Sequence, residues 1–280
     1  MSVDTAVACV TPPMTLAEGC DGSAATSPDR RTGSERTVLG RVASIMDAFS
    51  GSRQVLSLGD LSECTGLPKS TLHRLADQLC QVGWISRAPG GYRIGMRMFE
   101  LGSLALDTDT LQDTASPHLR SLATRTGLHV QLSVPDGAEV VHLERVAAGP
   151  LHHGVRRGER TPAYCTALGK AMAASDDHLE QSVLSAPMPR RTGNTITDRG
   201  TLLVELHRIR SSGIAIDRSE YRADVVCVAA PILQGQNVVA AVSVTAIAGR
   251  MRGDAAATAV LTTASAITNA ISSRQHPGHA

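Results

Sequence analysis

Aromatic side chains are scarce in this sequence: two Phe, one Trp and three Tyr in 280 residues. Its cores must therefore be assembled from Ala, Val, Leu and Ile, which bury less area each than a ring does. A dominant charge is missing too. Lys and Arg number 27 against 26 Asp and Glu, a formal net charge of +1, so no global basic field draws nucleic acid to the chain. Any such affinity has to come from local geometry. No run of about 18 apolar residues is present, so no membrane span is expected. The first residues lack a basic segment followed by an apolar one, so no secretory signal is expected either. The six cysteines, Cys9, Cys20, Cys64, Cys80, Cys165 and Cys227, contain no C-x-x-C pair and no histidine at zinc-ligand spacing. A chain this long needs no staples, so reduced thiols in a cytoplasmic protein are the expectation, with no metal and no cofactor.

What is present is a series of composition shifts. Residues 1–34, rich in Thr, Ser, Pro, Gly and Ala, read as a disordered arm. From residue 35 helical periodicity sets in, with Leu39, Val42, Met46 and Phe49 predicted as one buried stripe and Ser50-Gly51-Ser52 as its end. Ser57 and Asp60 form an [ST]-x-x-[DE] capping box for a short second helix, whose apolar face is Leu58, Leu61 and Cys64 and whose C-cap is Gly66. A third helix starts at Pro68, a proline suited to a first turn, with Leu72, Leu75, Ala76, Leu79 and Val82 facing inward. After Gly83 the period changes: Trp84–Arg87, a turn at Ala88-Pro89-Gly90-Gly91 and Tyr92–Ile94 read as a hairpin. Helix, short helix, tight turn, helix, hairpin is the order of a winged helix-turn-helix, spanning 35–95.

Residues 96–126 read as a helical linker, with Pro117 as a kink or a fresh start. From 127 to 273 strands and helices alternate. Strands are predicted at His129–Val134, Ala138–Val146, Gly213–Asp217, Val225–Leu233 and Val238–Ile247, and helices at Thr166–Ala174, Asp198–Arg210 and Asp254–Ser272. Hairpin-paired strands with helices between them predict an α+β sandwich rather than a doubly wound parallel sheet. Residues 274–280 read as a flexible tail.

With its leucines inward, the third helix turns Lys69, Ser70, Thr71, His73 and Arg74 outward, all donors suited to base edges and phosphates. Arg87 and Arg93 on the hairpin are candidates for the minor groove or the backbone, and Arg41 on the first helix for another phosphate. An arbitrary amphipathic helix would show merely a solvated face here; the capping, the short turn and the following hairpin favour double-stranded DNA. Residues 35–95 hold seven Lys and Arg against five Asp and Glu. So modest an excess implies a dimer on two half-sites rather than one basic module.

In the C-terminal half, Thr161–Lys170 is a small-residue loop entering a helix, where Ala167 and Leu168 can present backbone to a ligand. Ser243 and Thr245 share one face of an otherwise apolar strand, and Cys227 lies in the neighbouring strand. A pocket and a self-satisfied core are both compatible with these residues.

The sequence resembles the IclR-type transcription regulators over about 36–272. The resemblance rests on Gly66-Leu67-Pro68-Lys69-Ser70-Thr71-x-His73-Arg74-Leu75, on Tyr92-Arg93-Ile94-Gly95, and on Cys165-Thr166-Ala167-Leu168-Gly169-Lys170-Ala171. It continues through Gly213-Ile214-Ala215-Ile216-Asp217-x-x-Glu220, Val226-Cys227-Val228-Ala229-Ala230-Pro231 and Ala241-Val242-Ser243-Val244. It implies a GAF-like effector domain, a homodimer or dimer of dimers, a pseudo-palindromic operator and a small-molecule effector such as an organic acid. Positions matching the family's effector contacts are Ala167, Leu168, Asp217, Cys227, Ser243 and Thr245; Leu168 narrows the approach relative to members with Gly-Ala there. Two competing readings are an enzyme using Cys165 or Cys227 with His142, His152 or His153 as base, and a regulator whose pocket no longer binds.

Overall fold

The computed structural model describes residues 37–51, 53–107, 110–148 and 155–275. The expected arm at 1–34, Cys9, Cys20, His152, His153 and the last five residues lie outside that set. The chain divides into two compact units, one up to Gly102 and one from Ser103.

The first unit begins with α1, Val38–Ala48, capped by the Thr37 hydroxyl, which accepts from the Gly40 N–H. Its inward face differs from the predicted stripe. Ile45 and Phe49 are buried, Val42 and Met46 pack partly against them, and Leu39 is 77% exposed. The stripe read i, i+3, i+7 from Leu39, whereas the buried row lies one position earlier in the turn, at Ile45. Helix α2, Leu58–Thr65, has the capping box in full: Ser57 Oγ accepts from the Asp60 N–H and the Asp60 carboxylate accepts from the Ser57 N–H. Gly66 ends it at φ 69°, the left-handed conformation glycine adopts without strain. Only Leu61 of this helix is fully buried, with Leu58 packed partly beside it; Cys64 is exposed at the helix's last turn.

Helix α3, Lys69–Gln81, follows at once, with Pro68 occupying the cap position rather than the first turn. Leu72, Leu75, Ala76 and Leu79 are buried; Val82 falls beyond the helix and is exposed. Strands β1, Ile85–Ala88, and β2, Gly91–Ile94, form the hairpin around Pro89 and Gly90. Leu56 adds an isolated bridge to Tyr92, so the loop before α2 fastens the hairpin to the helices. Gly91 is required there, since a Cβ would lie 2.1 Å from the Leu56 carbonyl oxygen.

Helix α4, Met96–Asp107, contains the division between the units. Helix α5, Thr110–Thr126, continues through Pro117 instead of restarting there. It is part of a core, not only a connector: Leu111, Ala115, Leu119 and Leu122 are buried against the sheet of the second unit.

That sheet is antiparallel and six-stranded, in the order β5-β4-β3-β8-β7-β6. Its strands are β3 His129–Asp136, β4 Glu139–Val146, β5 Arg160–Pro162, β6 Ala215–Arg218, β7 Val225–Gln234 and β8 Asn237–Ile247. The alternation of the sequence sorts its two faces. Val130, Leu132, Val228, Ala230, Val242 and Val244 join α5 and α9 (Gly253–Gln275) in one core. Ala215, Ala229 and Ala241 face α6 (Ala167–Ala173) and α8 (Arg199–Ser212), with α7 (Asp177–Ser185) beside them, in the other. The short β5 and α7 were absent from the sequence expectation, and α9 runs three residues further than expected. By length and composition α9 could cross a membrane, but its row Ala256, Val260, Ala264, Ile267 and Ile271 is buried in the first of these cores.

Gly169 of α6 has no space for a side chain: a Cβ would stand 2.2 Å from Ala163 Cα. Gly169→Ala is therefore expected to destabilise the second unit by about 1–3 kcal/mol, because rigid backbone must move. Gly102→Ala, in a helix with nothing near, should gain about 0.5–1 kcal/mol. Urea unfolding followed by circular dichroism compares the two.

Candidate functional sites

The outward face of α3 is polar because its four buried residues recur at helical spacing and leave the rest to solvent. Lys69, Ser70, His73 and Arg74 are exposed; Thr71 is half-buried. Asp77, one turn further on, is the hub of this surface. His73 Nδ1 lies 3.1 Å from its carboxylate and Arg87 Nη2 2.6 Å. Arg87 also stands over the Tyr92 ring at 5.6 Å, so one guanidinium holds the two strands of the hairpin together by a cation–π contact and ties them to the helix by an exposed ion pair. Arg93 is exposed, with its Nε donating to Ser86 Oγ at 3.2 Å. Arg41, on α1, is half-buried.

In the second unit, one open cavity is lined by all six of the predicted effector positions: Ala167, Leu168, Asp217, Cys227, Ser243 and Thr245. They converge from three directions for structural reasons. Ala167 and Leu168 are the first residues of α6, whose Thr166 cap accepts from the Gly169 N–H. Register sets Asp217 opposite Cys227 and Cys227 opposite Thr245, so three adjacent strands present one row to the cavity. Thr245 Oγ1 donates to Cys227 Sγ at 3.2 Å. Ser243 is fully buried, and its hydroxyl has no hydrogen-bond partner among the described residues.

Beneath this row lies a buried charge cluster. Lys170 is 0% exposed, and its ammonium meets the Glu220 carboxylate at 2.5 Å and the Ile216 carbonyl at 2.8 Å. Glu220 in turn donates its backbone N–H to Asp217 Oδ1 at 2.6 Å. Glu220 thus pairs with the ammonium, and Asp217 is joined to that pair through the Glu220 backbone. Burial, together with repulsion from Glu220, pushes Asp217 from an ordinary 3.8 up to about 7, against the pull of the backbone N–H groups it accepts. Burial likewise pushes the Cys165 and Cys227 thiols up to about 12.

Gln131, Tyr221 and Arg222 also line the cavity and were not foreseen. Gln131 has a legible signal, since it is the polar residue between Val130 and Leu132 on a buried strand. Tyr221 and Arg222 sit in the β6–β7 connection, which carries no periodic signal. Lys170 and Glu220 appeared only as parts of motifs, although a lysine inside a run of small apolar residues is itself a cue.

The Asp217 shift has a definite consequence for stability. A carboxyl whose folded pKa is raised stabilises the fold fully below its unfolded value, and that contribution is lost as pH rises through the folded value. A carboxamide at this position would remain neutral throughout and could still accept the Glu220 N–H. The stability of Asp217→Asn relative to wild type should therefore climb between about pH 4 and pH 7 and level off above. A difference independent of pH, in urea melts across that range, would contradict the burial argument.

The family model "IclR helix-turn-helix domain" matches residues 38–89, and "Bacterial transcriptional regulator IclR C-terminal" matches residues 103–273. The chain is 32% identical over 217 residues to the HTH-type transcriptional regulator XynR of Escherichia coli, covering 75% of this chain and 86% of that one. It is 34% identical over 200 residues to the HTH-type transcriptional regulator TtgV of Pseudomonas putida, covering 70% and 76%. Among solved structures, an IclR homologue from Microbacterium hydrocarbonoxydans complexed with 4-hydroxybenzoate matches at a TM-score of 0.74 and 28% identity, over 85% of this chain and 100% of that one. The IclR of Thermotoga maritima matches at 0.68 and 26%, over 84% and 98%. A helix-turn-helix unit, a separate sheet unit with a polar-lined cavity, and matches to both family models over most of the described residues lead to one assignment: the chain belongs to the IclR family of transcription regulators, with a DNA-binding helix-turn-helix and a C-terminal effector-binding domain.

Proposed function

We propose that this regulator reads a pseudo-palindromic operator as a homodimer or dimer of dimers, and that a small organic acid in the second unit changes its affinity for that operator. The observation that carries the DNA reading is the outward face of α3, with Lys69, Ser70, His73 and Arg74 in solvent while the leucines of the same helix are buried. In this reading α3 enters the major groove, Arg74, Ser70 and Thr71 meet base edges, and Lys69, His73, Arg41, Arg87 and Arg93 meet phosphates. The chain then works in the cytoplasm, where the DNA is.

The effector reading rests on the six positions that share one cavity, and on Ser243, whose buried hydroxyl is available to a ligand. The bound 4-hydroxybenzoate of the Microbacterium homologue supports aromatic acids as a class to test. The enzyme alternative has little support. Thiols with pKa values raised to about 12 are not nucleophiles at neutral pH, and the His142 ring nitrogens are engaged by Ser133 and Thr161 rather than by either cysteine.

Dimerisation is supported by the apolar face of α4, where Met96, Phe99 and Leu104 are exposed, Phe99 to 71%. A surface of that kind is unusual on a monomer.

Two measurements test the proposal. In a gel-shift titration on the DNA flanking its own gene, Arg74→Ala should weaken sequence-specific binding by about 1–3 kcal/mol if the guanidinium reads a base; unchanged affinity would return Arg74 to an idle surface. In sedimentation equilibrium, Phe99→Glu should shift the protein toward monomer, and its operator affinity should fall by a factor on the order of 10²–10⁴ as two-site avidity is lost.

A further inference from the structure

Asp217 has no cation of its own, and an acidic ligand in the cavity adds to that deficit. Its side chain is buried, in the cross-strand row Asp217, Cys227 and Thr245 that faces the cavity. Charged and titratable groups approach it from several elements. Lys170 comes from α6 and Cys165 from the loop before it, Cys227 from β7, and Glu220, Tyr221 and Arg222 from the β6–β7 connection. Arg191 stacks on the Tyr221 ring at 5.3 Å.

None of the cations is bonded to Asp217. The Lys170 ammonium donates to Glu220 and to the Ile216 carbonyl. Even so, Glu220 Oε2 is buried with no hydrogen-bond partner among the described residues, so donors are already short here. Arg222 is exposed and has a partner. Arg145 of β4, whose Nε is buried and unpartnered, pairs in register with Gln131. Four strand spacings of ~4.8 Å separate β4 from β6, roughly 19 Å along the sheet, so Arg145 is not a counter-charge for Asp217. His142 on the same strand is neutral, because burial lowers it to about 4. The Cys165 and Cys227 thiols, pushed up to about 12, are neutral as well.

A carboxylate ligand beside Asp217 therefore brings a third negative group to one committed ammonium. Facing carboxylates in a buried site do not all stay ionised; one of them takes a proton. Glu220 keeps its charge because it holds the ammonium, whereas Asp217 accepts from the backbone alone. Raised to about 7, Asp217 is also the carboxyl closest to its titration point at neutral pH. Protonation turns it from a group that repels an anion into one that donates a hydrogen bond to it.

We propose that the effector enters as an anion together with one proton from solvent, and that Asp217 holds this proton and meets the ligand's carboxylate as a hydrogen-bond donor. This rests on the effector reading of the cavity and adds the regulation of that site by pH. Below the folded pKa of Asp217 the proton is already in place; above it, binding has to recruit one, so affinity falls as pH rises.

The test titrates the full-length chain calorimetrically with benzoate, phenylacetate and hexanoate. Two buffers of different ionisation enthalpy at each pH count the protons taken up. Uptake should be near zero at about pH 6 and approach one per ligand at about pH 8, with affinity falling about tenfold between them. Asp217→Asn cannot take the proton, but its carboxamide still donates. It should show no uptake, a level affinity, and binding at about pH 8 that is about tenfold tighter than wild type. Difference infrared spectra at that pH should show a carboxylic-acid band appearing on binding in wild type and missing in the variant. A merely structural Asp217 would instead give a variant weaker at every pH and no new band. Proton release on binding, or uptake that persists in Asp217→Asn, would overturn the proposal. Binding without uptake overturns it alone and leaves the effector reading intact; loss of that binding in Arg145→Met would then place the carboxylate at the β4 end. Absence of binding by all three acids overturns the acid reading of the cavity and this proposal with it. Should Asp217→Asn fail to fold, the wild-type proton count and infrared band still decide.

Discussion

An ammonium group held entirely out of water needs a counter-charge, and in this protein the need organises the whole ligand end of the second unit. Lys170 reaches from α6 to Glu220 and to the Ile216 carbonyl. Breaking such a pair on one side leaves a bare buried charge, at about 3–5 kcal/mol. The contact thereby fixes the start of α6, with Ala167 and Leu168, against the end of β6, with Asp217. Segment 192–195 is fastened to the same connection, since Thr192 and Thr195 donate to the carbonyls of Ser219 and Glu220. The cavity walls are thus parts of one hydrogen-bonded assembly, and a ligand that alters Asp217 acts on the group from which Glu220 takes its orientation.

The first unit was almost fully legible because its signals are local. A capping box, a glycine C-cap and a change of period at Gly83 each arise within a few residues. Its departures in burial have one origin. Leu39, Cys64 and Val82 fit an apolar pattern but lie at the ends of short helices, where no neighbouring element covers them. Periodicity reports which face could be buried, and only packing decides how far along the helix burial extends.

The second unit was legible in outline and less so at its site. Alternation correctly paired Ser243 with Thr245 and gave Cys227 as their neighbour, because β7 and β8 are regular there. The sequence offers His142 only as a conceivable base. Its direction depends on the bulge at Leu132/Ser133, a one-residue offset between two strands that neither strand's own sequence displays. The three-residue β5 was missed because a strand so short has no measurable period. Arg222 and Tyr221 were missed because they lie in a connection shaped by hydrogen bonds to another loop.

A ligand-responsive regulator requires that the cavity in one unit and the outward face of α3 in the other be thermodynamically linked. Linkage requires reciprocity: whatever factor a bound acid applies to operator affinity, the operator must apply to the affinity for that acid. The most direct measurement is therefore the operator dissociation constant by fluorescence anisotropy, without ligand and at saturation with an acid shown by calorimetry to bind. The account predicts a change of about 5–150-fold, mirrored in the ligand's affinity for the DNA-bound protein. An operator affinity that stays the same at saturating ligand would contradict it.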